Sequence, residues 1–187
     1  MERPSGEVAP WAAALGGDGE AFGEVFDLYR DRVYRHALRL VGNVHDAEDV
    51  TAGAFFELWR RRRSVRLVEG SVLPWLLVTT TNLSRNRVRS LRRYRAFLAS
   101  LPRSGPALDD GEAAASHIDE TGTAERVREA LGSLPASVST LIILTAFEGL
   151  SPAQAATALG ISDGAARVRL CRARAKLASV FGMLSSK

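Results

Sequence analysis

The 187-residue chain has one cysteine, Cys171, two methionines and only two lysines, against 23 arginines. A lone cysteine excludes a disulfide framework and a cysteine-based zinc site. Long apolar runs are missing as well. The stretch Leu141 to Leu144 is among the longest and is far too short to span a bilayer, so no membrane insertion is expected. The first residues include Glu2 and Glu7, and no apolar core follows a basic start, so no signal peptide is expected and the reading is cytoplasmic. Alternating strand patterns and internal repeats are also lacking. A mixed fold would need the strands.

What is present is a core and a divided charge. Apolar residues make up 46% of the chain, enough to pack an interior. Residues 1–99 carry 16 Lys/Arg against 12 Asp/Glu, residues 100–122 carry 1 against 5, and residues 123–187 carry 8 against 4. Two basic blocks therefore flank an acidic connector. Arginine's planar fork suits phosphate and base contacts, although a GC-rich genome produces the same preference.

Periodicity divides the chain into four parts. Residues 1–18, rich in Pro, Gly and Ala, read as a loose tail. Residues 19–99 read as a helical domain. Phe22, Val25, Phe26, Tyr29, Val33, Ala37 and Leu40 form one stripe, ended by Gly42 and Asn43. Asp46 then reads as an N-cap, with Ala47, Val50, Ala54, Phe55 and Leu58 as the next stripe. Pro74 reads as the first residue of a third helix, reaching about Leu98. Residues 100–122 show no period and read as a flexible linker. Residues 123–187 turn helical again. The expected fold class is all-α: two small helical domains joined by a flexible linker, the C-terminal one containing a helix-turn-helix.

That motif is the sharpest local signal. Ser151, Pro152 and Gln154 stand in the order of an N-cap, a first-turn proline and a capping-box partner. Gly160 supplies the turn, Ile161 plugs the gap and Ser162 caps the second helix. At about 100° per residue, Ala166, Leu170, Ala173 and Leu177 share the inner face. The outer face carries Gly164, Val168, Cys171, Arg172 and Ala175. Arg167 and Arg174 lie along one edge, Arg169 and Lys176 along the other. Side chains at the centre of such a face meet base edges and the flanking cations meet phosphates. The plainer alternative is a solvated basic face. Cys171 reads as a small outer-face side chain or as a redox sensor, with nothing to pair with.

These residues carry a family resemblance. Asp46-Ala47-Glu48-Asp49-Val50-Thr51, followed by Phe55, Leu58 and Trp59, resembles the core-binding segment of bacterial RNA polymerase sigma factors. Pro74-Trp75-Leu76 and Asn82-Leu83-Ser84-Arg85-Asn86 resemble the promoter-melting, −10-reading segment. Leu134-Pro135 through Leu177 resembles the −35-reading domain. The layout matches the extracytoplasmic-function (ECF) subfamily. The resemblance implies a function: binding core polymerase, recognising −35 and −10 elements, and helping to open the DNA. It also implies roles. Asp46, Glu48, Asp49, Phe55 and Trp59 would meet the β′ clamp helices. Trp75, Asn82, Arg85, Asn86 and Arg89 would meet −10 DNA, with Asn82 lining a pocket for a flipped base. Arg167, Val168, Arg169, Cys171, Arg172 and Arg174 would meet −35 DNA. Arg62, Arg63, Arg66, Arg89, Arg92 and Arg93 would track phosphates, and an anti-sigma factor would be a partner. Phe55 also reads as core, Trp75 as a core anchor. The chain departs from the family at Ala52 and Gly53, where a Gln-Glu pair is common, and at Val168, where a hydroxyl residue is common. Valine meets a thymine methyl but makes no hydrogen bond to a base.

Two other functions compete. A stand-alone helix-turn-helix regulator explains residues 123–187 but leaves the first 99 without a role. A metal-dependent nuclease using His45, Asp46, Glu48 and Asp49 lacks a second acidic cluster, and helix capping explains those acids. No enzyme activity, metal or cofactor is expected.

Overall fold

The computed structural model describes residues 8–100 and 130–184, with side chains described up to residue 178. Its regular elements are helices, apart from one isolated bridge between Val68 and Ser71. The N-terminal half comprises α1 (Val8–Leu15), α2 (Gly19–Val41), α3 (Val44–Arg61), a 3-10 turn (Arg62–Ser64) and α4 (Leu73–Ser100). The C-terminal half comprises α5 (Ala136–Ala146), α6 (Pro152–Leu159) and α7 (Asp163–Leu184). Of the expected linker 100–122, only Ser100 lies among the described residues, as the end of α4. The helix expected near Thr123 lies outside them up to residue 129.

The expected loose tail is corrected from Val8 onward. Residues 8–15 form α1, and its Trp11 and Ala14 are buried in the core. Two prolines and several alanines obscured this helix, whose single large anchor gives little periodicity. α2 begins where Asp18 accepts hydrogen bonds from the Glu20 and Ala21 N–H groups, at 2.9 and 3.1 Å. It ends at Gly42, whose φ of 81° is left-handed and whose N–H reaches Leu38 O at 2.9 Å. Val25, Tyr29, Val33 and Ala37 are buried along its inner face, as the stripe implies.

The cap of α3 differs from the expectation. Asn43, not Asp46, starts the helix, and its Oδ1 accepts the Asp46 N–H at 2.8 Å. Both residue types cap well. Asn43 follows the left-handed Gly42 directly, in extended conformation, so it takes the position first. Asp46 is thereby moved one turn inside the helix, where it pairs with Arg87 of α4. The stripe of Ala47, Val50, Ala54, Phe55 and Leu58 is buried as a whole. α4 follows a tight turn in which Val68 and Ser71 exchange backbone hydrogen bonds of 3.0 and 3.1 Å. Ser71 Oγ then accepts the Leu73 N–H and meets the Tyr29 hydroxyl, both at 3.1 Å. Phe22–Trp59 and Phe26–Phe55 pack edge to face, with ring centroids 5.0 and 4.7 Å apart.

The helix-turn-helix closes as its sequence implies. Ser151 Oγ accepts the Gln154 N–H at 3.1 Å while Gln154 Oε1 accepts the Ser151 N–H at 2.9 Å. Gly160 sits at φ 67°; its N–H reaches Thr157 O at 3.2 Å and the Ile161 N–H reaches Ala156 O at 3.0 Å. That is the paired closure of a glycine-terminated helix. Ala166, Leu170 and Ala173 are buried, which turns the opposite side of α7 outward.

The two halves meet. Arg85 of α4 donates to Ala136 O (3.1 Å), Ser139 Oγ (3.0 Å) and Thr140 Oγ1 (2.9 Å) of α5. Glu148, just past α5, is buried against α2. It accepts from Arg39 and Arg32, and its Oε1 meets His36 Nδ1 at 2.9 Å. Arg32 also reaches Glu148 O at 2.8 Å. The other His36 nitrogen faces Thr81 Oγ1 at 2.9 Å, and the Thr81 hydroxyl donates to Leu77 O at 2.8 Å. Both ring nitrogens of His36 are therefore engaged in hydrogen bonds. Gln154 Nε2 bonds Glu69 Oε2 at 2.9 Å.

Two glycines give opposite expectations. A Cβ at Gly160 meets no atom within 4 Å, but the left-handed backbone disfavours it. Gly160→Ala should lower stability by about 1–2 kcal/mol. At Gly53, inside α3, a Cβ would rest 3.4 Å from the flexible Leu83 Cδ1, an ordinary contact. Gly53→Ala should raise stability by about 0.5–1 kcal/mol through helix propensity. Urea unfolding followed by helical circular dichroism measures both; shifts of the same sign would contradict this account.

Candidate nucleic-acid interface

The face of α7 opposite the core presents Arg167, Val168, Cys171, Arg172 and Arg174 to solvent, with Arg169 half-buried at its side. Val168 is 50% exposed, an apolar side chain at the centre of a basic face. Arg167 is tethered by Asp163 at 3.2 Å, one turn earlier. The carboxylate sits in the first turn, where the helix dipole favours it, and holds the guanidinium over the helix start. The face expected for −35 contacts is thus assembled as one surface.

The −10 candidates divide. Asn82, Asn86 and Arg89 are exposed on one side of α4, and Arg63, Arg66, Arg92 and Arg93 are exposed around it. Trp75 is half-buried and packs on the core, in keeping with an anchor. Arg85 departs from the expectation. Its guanidinium is turned toward α5 and half-buried, although Nη1 also reaches Asn82 Oδ1 at 3.3 Å. Burial, and then the neighbouring charge of Arg89, pull its pKa below the usual arginine range. Arg62 is likewise withdrawn from phosphate tracking. It lies 4.2 Å over the Trp59 ring and donates to Trp59 O at 2.9 Å.

The polymerase-facing candidates on α3 are corrected at two positions. Asp46 is buried, bonded to Asn43 Nδ2 at 2.6 Å and paired with Arg87, so its carboxylate is occupied within the chain. Phe55 is buried in the core. Glu48 and Asp49 are exposed and Trp59 is half-buried. Sequence reasoning passed over Phe56, which is 64% exposed. With Gly19, Phe22, Phe55 and Trp59 it lines a shallow depression of about 310 Å³. The signal was available: with Ala54, Phe55 and Leu58 inward, the next residue after Phe55 is rotated by about 100° out of the stripe. α3 therefore offers an acidic patch near its start and an apolar patch near its end.

With this geometry in view, the comparisons with known proteins are decisive. The chain matches Sigma-70 region 2 over residues 25–94 and Sigma-70, region 4 over residues 124–177. It belongs to the ECF RNA polymerase sigma factors. ECF sigma factor SigE of Mycolicibacterium smegmatis is 35% identical over 167 residues, 88% of this chain and 63% of that one. The probable sigma factor RfaY of Xanthomonas campestris is also 35% identical, and the chain spans 41% of its length. The chain thus spans less than two thirds of these two relatives. SigW of Bacillus subtilis is 27% identical, with 86% and 89% of the two chains covered. Among solved structures, CnrH in complex with the cytosolic domain of CnrY is 26% identical with a TM-score of 0.62, covering 95% and 97% of the two chains. RpoE of Bartonella quintana, in complex with the anti-sigma factor NepR, shares the fold at 20% identity and a TM-score of 0.54. Sigma factors are transcription initiation factors and not enzymes. Region 2 contains most of α2, all of α3 and most of α4, and region 4 contains the helix-turn-helix. None of the described helices of this sigma factor is long and apolar enough to cross a membrane.

The reassigned Asp46 makes a prediction about acid stability. The Asn43 amide holds its carboxyl below the ordinary aspartate range, burial opposes this, and Arg87 adds to the lowering. The contribution is complete above the unfolded pKa of about 3.9 and is lost as pH falls through the lower folded value. Asp46→Asn should therefore lose less stability than the parent between neutral pH and a pH below that range. Urea midpoints at the two pH values check it; equal losses would show that the carboxylate is not held in this pair.

Proposed function

We propose that the chain binds core RNA polymerase through α3, reads −10 DNA through α4 and −35 DNA through α7, and so directs transcription initiation. The observation that supports this best is the order of the two matched regions, each carrying an exposed polar or basic helix face. A stand-alone regulator would leave the region 2 half without a role. On α3 the contact residues are Glu48, Asp49, Phe56 and Trp59, acids for basic partners and aromatics as anchors. The clamp helices of the β′ subunit are the target that the family resemblance implies. On α4, Asn82 lines the pocket for a −10 base leaving the stack, since its amide both donates and accepts. Asn86 and Arg89 continue the same face. On α7, Arg167 and Arg172 meet base edges, Val168 and Cys171 fill the groove-facing centre, and Arg169 and Arg174 meet phosphates. Valine at 168 favours a thymine methyl and shifts the −35 preference from that of relatives with a hydroxyl there.

An anti-sigma factor as partner is supported by the resemblance and by CnrH and the Bartonella RpoE, each solved as a complex. A cytoplasmic site of action follows from the proposed partners, polymerase and promoter DNA.

Run-off transcription with purified core polymerase on genomic fragments tests the reading as a whole; initiation at mapped start sites is expected. Asp49→Arg and Phe56→Asp should each weaken core binding by about tenfold or more, equivalent to about 1.4 kcal/mol. Helical circular dichroism should be unchanged. If both bind core like the parent, the interface lies elsewhere.

The DNA-reading assignments separate by salt and by sequence. Asn82→Ala should flatten discrimination at one −10 base and leave −35 discrimination intact. Arg172→Ala should relax preference at one −35 position, because a bidentate arginine–guanine pair is worth about 1–3 kcal/mol. Arg169→Ala should weaken binding to all sequences and lower the log–log salt slope by about 1. Titration of a small promoter library at several salt concentrations distinguishes the classes. The reverse assignment of Arg169 and Arg172 would mean that α7 is rotated from the orientation proposed.

A further inference from the structure

A cavity of about 370 Å³ opens beside the middle of α4. Its size is that of a small-molecule cleft, typically about 300–1,000 Å³. Leu40, Val88, Leu131, Leu134 and Ile143 give it an aliphatic wall, and Arg85, Arg89 and Arg92 give it charge. Spaced four and three residues apart, these arginines share one side of α4. No acid lines the cavity. Among the described residues, the only charge that shifts the Arg85 guanidinium is the like charge of Arg89.

Two features of the lining are unbalanced. Arg85 rests on the end of a helix that repels it. The oxygens that hold it, Ala136 O, Ser139 Oγ and Thr140 Oγ1, belong to the start of α5, where the helix dipole favours anions. Pro135, the N-cap, offers no side-chain oxygen to the first N–H groups of α5. Ala136 and Ser139 line the cavity as well. Three guanidiniums and a helix N-terminus thus gather charge of one sign, and nothing in the lining offsets it. The second feature is Ser84. Thr80 and Thr81 beside it donate to carbonyls four residues back, both at 2.8 Å, whereas Ser84 Oγ is buried with no hydrogen-bond partner. Ser84 is 1% exposed and lines the cavity. A buried hydroxyl without a partner is costly, and an oxygen bound in the cavity removes that cost.

We propose that this cavity is a binding site for a small phosphate monoester with an aliphatic body, the phosphate held by the three arginines and Ser84 Oγ, the body lying against the leucines, Val88 and Ile143. Phosphate suits the charge better than carboxylate does. A monoester is close to dianionic at neutral pH and has three strong acceptor oxygens, enough for more than one guanidinium fork. Helix N-termini also receive phosphate. The lining contains no aromatic side chain, so a nucleobase would find nothing to stack on, and the body is aliphatic. The site stands on the cavity alone and needs neither the −10 nor the −35 reading; Arg89 is the one residue it shares with the face proposed for −10 DNA.

Titration calorimetry of the full chain with hexyl phosphate tests the proposal. One saturable site is expected. Inorganic phosphate and hexanol, which each lack one half of the ligand, should bind at least about tenfold more weakly, and hexanoate, with a single charge, at least about fivefold. Val88→Phe and Leu131→Phe fill the cavity from α4 and from the second half while keeping all three arginines. Each should weaken hexyl phosphate by about tenfold or more, as should Arg85→Gln; circular dichroism confirms the helices of all three. Ser84→Ala should weaken it by about threefold without lowering the melting temperature of the free chain, because the hydroxyl it removes is unsatisfied there. Vesicles of phosphatidylcholine with and without phosphatidate separate the sources of the ligand. Sedimentation that needs phosphatidate and is abolished by Val88→Phe assigns a lipid; its absence assigns a soluble ester. No saturable binding, or equal affinity for hexyl and inorganic phosphate that survives both filling variants, leaves only anions drawn to surface arginines and overturns the site. Hexanoate bound as tightly as hexyl phosphate overturns the phosphate assignment.

Discussion

The architecture depends on what α4 must do with its two faces. Twenty-eight residues at about 1.5 Å each make a rod of about 42 Å. Leu73, Leu76, Leu77, Thr80, Thr81 and Ser84 bury one face against α2 and α3. That face contains three hydroxyl residues where a core helix would carry aliphatics. Thr80 and Thr81 return their hydroxyl protons to the carbonyls four residues back, and Thr81 still offers its oxygen to His36. The two threonine hydroxyls are thereby satisfied close to the line where α2, α4 and the second half converge, while Ser84 Oγ is buried without a hydrogen-bond partner. The opposite face is left free for Asn82, Asn86 and the arginines. A helix anchored along one side only can present a rigid row of amides and cations without exposing its own core, as a base-reading surface requires.

The same division explains what could be read from the sequence. Stripes on α2 and α3, the capping box at Ser151 and Gln154, the turn at Gly160 and the inner face of α7 were all legible, because each is a local pattern with one physical solution. The Asp46 assignment failed because Asn43 and Asp46 both satisfy the local rule, and only the Arg87 partner, 41 residues away, decides which is spent where. Trp11 was missed because one anchor in a run of alanines has no period. Phe56 was passed over although the helical rotation of about 100° per residue separates it from the inward Phe55. The intramolecular contacts of Arg85 and Arg62 were not legible for a common reason: sequence shows that an arginine is present but not which acceptors fold within its reach.

On α7 the chemistry is narrower than the charge suggests. Five side chains share the exposed face, but they do not have equal freedom. Asp163 restrains Arg167 near the helix start, where a recognition helix penetrates deepest. Val168 beside it has no donor or acceptor and discriminates only by shape. Cys171 is small and leaves room. On the proposed reading, the sequence information carried by this helix rests on Arg172 and on the tethered Arg167, with apolar contact supplying the rest. The other cations would then add affinity without discrimination, a part that weakens as salt rises.

The contact between the halves is suited to being broken. Glu148 is buried enough for desolvation to push its carboxyl up, yet the His36 bond and the charges of His36, Arg39 and Arg32 outweigh this and hold it below the ordinary glutamate range. Buried ion clusters of this kind add little net stability, because the desolvation of every member offsets their attraction. They do demand geometry: removing one member leaves the others buried without compensation. A purely apolar seam would stabilise closure in proportion to its area and would lose that stability on opening. Here, opening returns a carboxylate and two half-exposed arginines to water, where each is well solvated. Arg85 similarly exchanges three neutral oxygens for water or for a phosphate, and the charged acceptor is the stronger one. Contact through polar groups thus fixes one arrangement of the halves at a small net free energy.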